Sequence, residues 1–117
     1  MQAIGTHILA EFYGVNPGLI SEVAEVQKRL EQVVKKGKFN VLHSRFHQFE
    51  PQGVTAFYLL AESHVSIHTW PEHGYFAVDL FTCGKEGNAH IGFDELVKQF
   101  PAEKVEKTVK VRGSEEN

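Results

Sequence analysis

The chain has 117 residues, 42% of them hydrophobic and 23% charged, which suits one globular domain spanning 1–117 with a real core and leaves no room for a second. No run approaches the roughly 18 apolar residues of a membrane span, the first residues lack the basic and apolar segments of a secretory signal, and a net charge of -3 argues against nucleic acid. A soluble protein with neither membrane nor nucleic-acid partners is expected, and a lone cysteine, Cys83, excludes an internal disulfide and fits the cytoplasm.

Residues 3–13 alternate Ile4, Thr6, Ile8, Ala10 and Phe12 against His7, Leu9, Glu11 and Tyr13, the period of a strand with one face on a core. Asn16-Pro17 supplies an N-cap and first helical residue. Leu19, Val23, Val26, Leu30 and Val33 then form the apolar stripe of an amphipathic helix that Gly37 stops. Residues 39–49 and 53–61 read as strands joined by Glu50-Pro51-Gln52-Gly53, and 64–70 and 75–82 as two more, separated by Pro71-Glu72-His73-Gly74. Phe93, Leu96, Val97 and Phe100 mark a short helix closed by Pro101. A last strand is expected over 105–112, with Val105, Val109 and Val111 inward and their uneven spacing implying a bulge or an imprecise boundary, before a frayed tail at 114–117.

Six strands and two helices in this order give an α+β fold: a two-layer α/β sandwich with a mostly antiparallel sheet and both helices on one face. Phe57, Leu59, Phe81 and several valines exceed what one sheet face and two helices bury. The second face is therefore expected to take a ligand or to pair with another copy in a homodimer.

The chemistry concentrates between Ala61 and Gly84. As a strand, residues 64–70 point His64, Ser66 and His68 one way and Val65, Ile67 and Thr69 the other. His64 and His68 lie about 13 Å apart along such a strand, as do His43 and His47, so neither pair chelates one ion. Only a cross-strand metal site stays open, and no metal is expected. A hydrolase reading would make Ser63 or Cys83 the nucleophile, His68 the base and Glu72 its orienter. No Gly-x-Ser-x-Gly elbow supports it, and Glu62 would put a negative charge beside a developing oxyanion.

The junction Glu62-Ser63-His64, the run Ser-Ile-His-Thr-Trp-Pro-Glu at 66–72 and Asp79-Leu-Phe-Thr-Cys-Gly at 79–84 resemble the short prokaryotic form of S-adenosylmethionine decarboxylase. Gly5-x-His7, Ala10-Glu11-Phe12-Tyr13, Phe46-His47-x-Phe49 and Arg112-Gly113 extend the resemblance along the whole chain. It implies a self-processing enzyme in which Ser63 attacks the carbonyl of Glu62 to form an ester. Elimination and hydrolysis then yield a β chain, 1–62, and an α chain, 63–117, headed by a covalent pyruvoyl group.

By residue match, His68 accepts the Cα proton during elimination and the hydroxyl of Thr55 stabilises the tetrahedral intermediate. The family usually has serine at that position, so the restricted χ1 of threonine implies slower processing. The resemblance further implies that the substrate amine forms a Schiff base with the pyruvoyl ketone, an electron sink no ordinary side chain offers. Cys83 then returns a proton after decarboxylation, with Phe49 stacking on adenine and Glu72 accepting hydrogen bonds from the ribose hydroxyls.

Relatives of this fold act on arginine or ornithine instead, and Arg45, His73 and Lys85 are candidates for altering pocket electrostatics. The presence of both Phe49 and Glu72 favours S-adenosylmethionine and a place in spermidine and other polyamine synthesis. No acidic cluster suggests activation by a diamine. A reading of another class is an unprocessed, non-catalytic nucleoside-binding homologue.

Overall fold

The structure is a computed structural model and describes residues 4–61, 63–83 and 88–113. Its strands are β1 (Gly5–Tyr13), β2 (Val41–Gln48), β3 (Val54–Leu60), β4 (Ser63–Trp70), β5 (Tyr75–Cys83) and β6 (Lys104–Arg112), and its helices α1 (Val23–Gly37) and α2 (Asn88–Gln99). The strands form one six-stranded sheet in the order β2-β3-β4-β5-β1-β6, antiparallel at every pairing. The α+β sandwich expected from the sequence is the observed fold.

Strand alternation sorts the two faces. Ile8, Ala10 and Phe12 of β1, Ala56 and Tyr58 of β3, Val65 and Ile67 of β4, and Phe76, Val78 and Leu80 of β5 are buried against Val26, Leu30 and Val33 of α1 and Phe93 and Leu96 of α2. The buried Tyr58 keeps a polar partner by donating its hydroxyl to Glu31 Oε2 of α1 at 2.6 Å. The other face carries His7, Leu9, Glu11, Thr55, Phe57, Leu59, His64, Ser66, His68, Asp79 and Phe81, and no described helix covers it. Leu9, Phe57 and Leu59 are 37%, 39% and 43% exposed there, the apolar excess noted in the sequence.

Some local expectations are corrected and others refined. Asn16 does cap, but what it caps is a 3-10 turn at Pro17–Leu19, its Oδ1 accepting from Gly18 N at 2.9 Å. Helix α1 starts later, at Val23, whose N–H donates to Gln48 Oε1 at 2.8 Å; the cap comes from β2, out of reach of any local pattern. The helix ends at Gly37, yet the left-handed residue is Lys38 at φ 56°, and Gly37 is required because a Cβ there would stand 2.5 Å from the Phe39 ring. Strand β6 pairs with β1 without interruption and begins at Lys104, so of the two alternatives, a bulge or an imprecise boundary, the boundary is what shifts; a register irregularity falls instead in β2, between Val41 and His43. Val105 packs against the core margin, but Val109 and Val111 are 43% and 52% exposed because β6 is a sheet edge outside the helices' cover. The tail at 114–117 lies outside the described residues.

Candidate active site

Two clusters occupy opposite ends of the uncovered face. The first surrounds a cavity of about 370 Å³ lined by Phe49, Gln52, Gly53, Thr55, His68, Thr69, Trp70 and Glu72. Buried Thr69 anchors its floor: Oγ1 accepts from Val54 N and donates to Ile20 O, each at 2.8 Å. Gln48 Nε2 donates to Ser21 O at 2.9 Å and to Gly53 O at 3.0 Å, fastening the β2–β3 turn to the start of α1. Gly53, at φ 111°, makes the bend that leaves Phe49 at the rim.

Thr55 and His68 are directly opposed across β3 and β4, with Thr55 Oγ1 3.1 Å from His68 Nδ1. When Nδ1 donates in that contact, Nε2 presents a lone pair and the imidazole can accept a proton. A 3-10 turn at Pro71–His73, ended by Gly74 in the left-handed region at φ 58°, holds Glu72 exposed at the mouth. Phe49 and Trp70 present 46% and 41% of their surface, and Trp70 stacks on Tyr75 with ring centres 5.4 Å apart. Two open aromatic rings with one carboxylate suit a cationic, ribose-bearing aromatic ligand.

The second cluster sits where β4 begins. Ser63 has φ 153°, a region that residues with a Cβ rarely adopt and that costs on the order of 1–3 kcal/mol. Its Oγ lies 3.4 Å from His64 Nδ1. His64 stacks on Phe57 and meets His7 edge-on, with ring centres 5.7 Å and 6.1 Å away. Burial, and secondarily His7, hold the His64 pKa below the ordinary histidine value, with Asp79 opposing them. Cys83 ends β5 on the same face, opposite Gly5 of β1. A Cβ on Gly5 would fall 2.8 Å from the Phe81 ring, 2.9 Å from Thr82 O and 3.4 Å from Cys83 Sγ.

His7, His64 and Asp79 bring one potential ligand atom each within 4.8 Å of one another, the cross-strand combination left open by the sequence. Arg112 opposes a cation there. Its Nη1 donates to His7 Nδ1 at 3.1 Å, which puts a fixed positive charge beside the cluster and leaves the His7 proton on Nε2. That nitrogen is buried without a hydrogen-bond partner and stands 3.8 Å from Asp79 Oδ2. The residues fit a hydrogen-bonded group near Ser63 better than they fit a metal.

The structure thus gathers Phe49, Thr55, His68 and Glu72 at one end, and Ser63 and Cys83 at the other. Ser63 and His68 are five residues apart on β4, about 16 Å in an extended strand. Glu62 and Lys85 lie outside the described residues, and Arg45 and His73 are exposed and do not line the cavity. Trp70, His7, His64 and Gly5 acquire places in the site that residue-by-residue reading did not assign. The alternation of β4 and β1 already put the first three on the uncovered face; the close approach at Gly5 is visible only in three dimensions.

Residues 6–113 match the family described as S-adenosylmethionine decarboxylase. The chain is 45% identical over 112 residues to an S-adenosylmethionine decarboxylase proenzyme of Hydrogenobaculum sp., covering 96% of this chain and 84% of that one. It is 43% identical over 110 residues to the proenzyme of the same name from Archaeoglobus fulgidus, covering 94% and 98%. The crystal structure of the adenosylmethionine decarboxylase from Aquifex aeolicus superposes with a TM-score of 0.94 at 40% identity, covering 99% of this chain and 96% of that one.

Proposed function

The chain belongs to the S-adenosylmethionine decarboxylase family, and we propose that it is a proenzyme that cleaves itself between Glu62 and Ser63. Its activity is that of a pyruvoyl-dependent carboxy-lyase, converting S-adenosylmethionine to decarboxylated S-adenosylmethionine and carbon dioxide for polyamine synthesis. The observation that carries the site assignment is Ser63 itself: its hydroxyl faces an imidazole, its backbone is strained, and it stands where the resemblance puts the reactive serine.

The pyruvoyl group derived from Ser63 supplies an electron sink for the pair left behind as the carboxylate departs. The chain's own residues do the rest. His68 accepts the Cα proton of residue 63 during processing, and Thr55 orients His68 while offering a hydroxyl to the tetrahedral intermediate. Cys83 donates a proton to the substrate carbon, a general-acid role open to a thiol. Phe49 stacks on adenine and Glu72 takes the ribose hydroxyls. No step uses a metal.

A single copy cannot do this, because about 16 Å of strand separates residue 63 from His68. We therefore assign a homodimer of processed α/β pairs, with the uncovered faces packed together so that Ser63 of one copy meets His68 and Thr55 of the other. Two-fold symmetry makes two such sites, and Leu9, Phe57 and Leu59 supply apolar contact between them. A cytoplasmic location is part of the proposal, in keeping with the lone Cys83.

Among arginine, ornithine and S-adenosylmethionine, the last fits the cavity best. The cavity has two open aromatic rings and a single carboxylate, whereas guanidinium recognition calls for paired acceptors. The denatured mass of the purified protein tests processing: fragments divided at 62/63, the second with a blocked amino terminus, are expected. Carbon dioxide release from each of the three substrates tests specificity. One unbroken chain that binds nucleosides would instead establish the non-catalytic homologue.

A further inference from the structure

Resting on the self-processing reading, the geometry points to His64 as the base that starts maturation. It takes the proton from the Ser63 hydroxyl as Oγ attacks the Glu62 carbonyl carbon, and returns it to the residue 63 nitrogen as the C–N bond breaks. The step is an isomerisation from amide to ester. The bond formed is Oγ–C, the bond broken is C–N, and one proton moves from oxygen to nitrogen through the imidazole, so no other reactant is needed.

Three observations carry the assignment. Among the described residues, His64 Nδ1 is the side-chain partner of Ser63 Oγ, at 3.4 Å; contacts of this kind shorten when the reacting geometry forms. The other candidate base, His68, lies five residues along β4 from Ser63 in its own chain, reaches residue 63 only across the dimer, and is already needed for the later elimination. Finally, the His64 ring is fixed by packing from three strands: Phe57 of β3 on its face, and His7 of β1 and Phe81 of β5 edge-on, with ring centres at 5.7, 6.1 and 6.0 Å.

The groups that set its charge are His7 on β1, Asp79 on β5 and, through His7, Arg112 on β6. Burial and His7 lower the His64 pKa against the opposing Asp79 and so favour the neutral imidazole, the form that accepts a proton. The two histidines of β4 thereby divide maturation: His64 serves the acyl shift within its own chain, and His68 serves the elimination across the dimer.

The test separates the two stages with hydroxylamine, which cleaves an ester at 62/63 and leaves the amide intact. His64→Gln keeps a hydrogen-bonding side chain but cannot shuttle the proton. Expected are a ~100-fold or greater slowing of fragment appearance, the usual scale of a lost general base, and an accumulated chain that resists hydroxylamine. His68→Ala is expected to accumulate a chain that hydroxylamine cuts. Urea unfolding checks that His64→Gln folds; if it does not, His64→Ala with added imidazole replaces it, and recovery of cleavage supports the assignment. Wild-type processing rates in His64→Gln, a hydroxylamine-sensitive chain in that variant, or failure of imidazole to restore cleavage would overturn it. An uncleaved wild-type chain would overturn the self-processing reading and the base with it.

Discussion

Ser63 and His68 stand at opposite ends of β4, so maturation should be complemented between chains. Ser63→Ala and His68→Ala are each expected to remain uncleaved when expressed alone. Expressed together in equal amounts, random pairing makes about half of the dimers mixed, and symmetry gives each mixed dimer one site with both residues intact, about one quarter of all sites. The competent Ser63 always lies on the His68→Ala chain. With the two chains tagged differently, about half of the His68→Ala chains should split at 62/63, and no Ser63→Ala chain should. Denaturing electrophoresis and fragment masses read this directly. The structural basis is the separation of about 16 Å, which no rotamer change in one chain spans. Absence of cleavage in the mixture, with both variants shown to form mixed dimers, would refute the shared site. Cleavage of His68→Ala alone at the wild-type rate would remove His68 from processing.

Glu72→Gln removes the charge that accepts the ribose hydroxyls while leaving Ser63 untouched. It should mature normally and lose about 10- to 150-fold in kcat/KM, chiefly through KM, the scale of a charge-assisted hydrogen bond of about 1.5–3 kcal/mol. Thr55→Ser keeps the hydroxyl that meets His68 and frees its χ1, so fragment formation should accelerate about 2- to 10-fold, matching a rotamer restriction of about 0.5–1.5 kcal/mol; unchanged kinetics would show that the extra methyl is harmless. Gly5→Ala should impair both maturation and turnover, because the added carbon meets Phe81 and the Thr82 carbonyl beside Cys83; a variant with normal kinetics would show that β1 yields at no cost. Burial, and then the hydrogen bond to Glu11, push Tyr75 from its ordinary value of 10 to about 12. Because the folded value is the higher one, the contribution is complete below pH 10 and is lost as pH rises through about 12. Urea unfolding should show a shallower alkaline decline for Tyr75→Phe than for the wild type, in which Tyr13 and Tyr58 shift the same way.

Where a residue's role depends on its own strand, the sequence was a sufficient guide. Alternation in 3–13 and 64–70 assigned Ile8, Phe12, Val65 and Ile67 to the core, and His64 and His68 to the other face, as observed. Phe49 and Glu72, named separately, line one cavity. The misses share one cause, a partner distant in sequence. The true start of α1 depends on Gln48, 25 residues ahead of Val23. The valines of β6 look inward by pattern, but which strand ends at a sheet edge is a property of topology. The separation of Ser63 from His68 was implicit in strand geometry and passes unnoticed when each residue is matched to a role alone.

Sheet order also explains how the molecule could survive the proposed cut. Cleavage at 62/63 would put β1, α1, β2 and β3 on one fragment and β4, β5, α2 and β6 on the other. These do not form two separable halves. In the order β2-β3-β4-β5-β1-β6, strand β1 lies between β5 and β6 with nine-residue registers on both sides, and β3 remains paired to β4. Each fragment would also keep its helix in one shared core, where α1 and α2 pack beside each other. Breaking that peptide bond would therefore free only the end of β4, at a residue already strained, while the ladders beside it would hold the new terminus in the sheet. A fold with sequential halves would risk dissociation at that step; interleaving would make the break a local event.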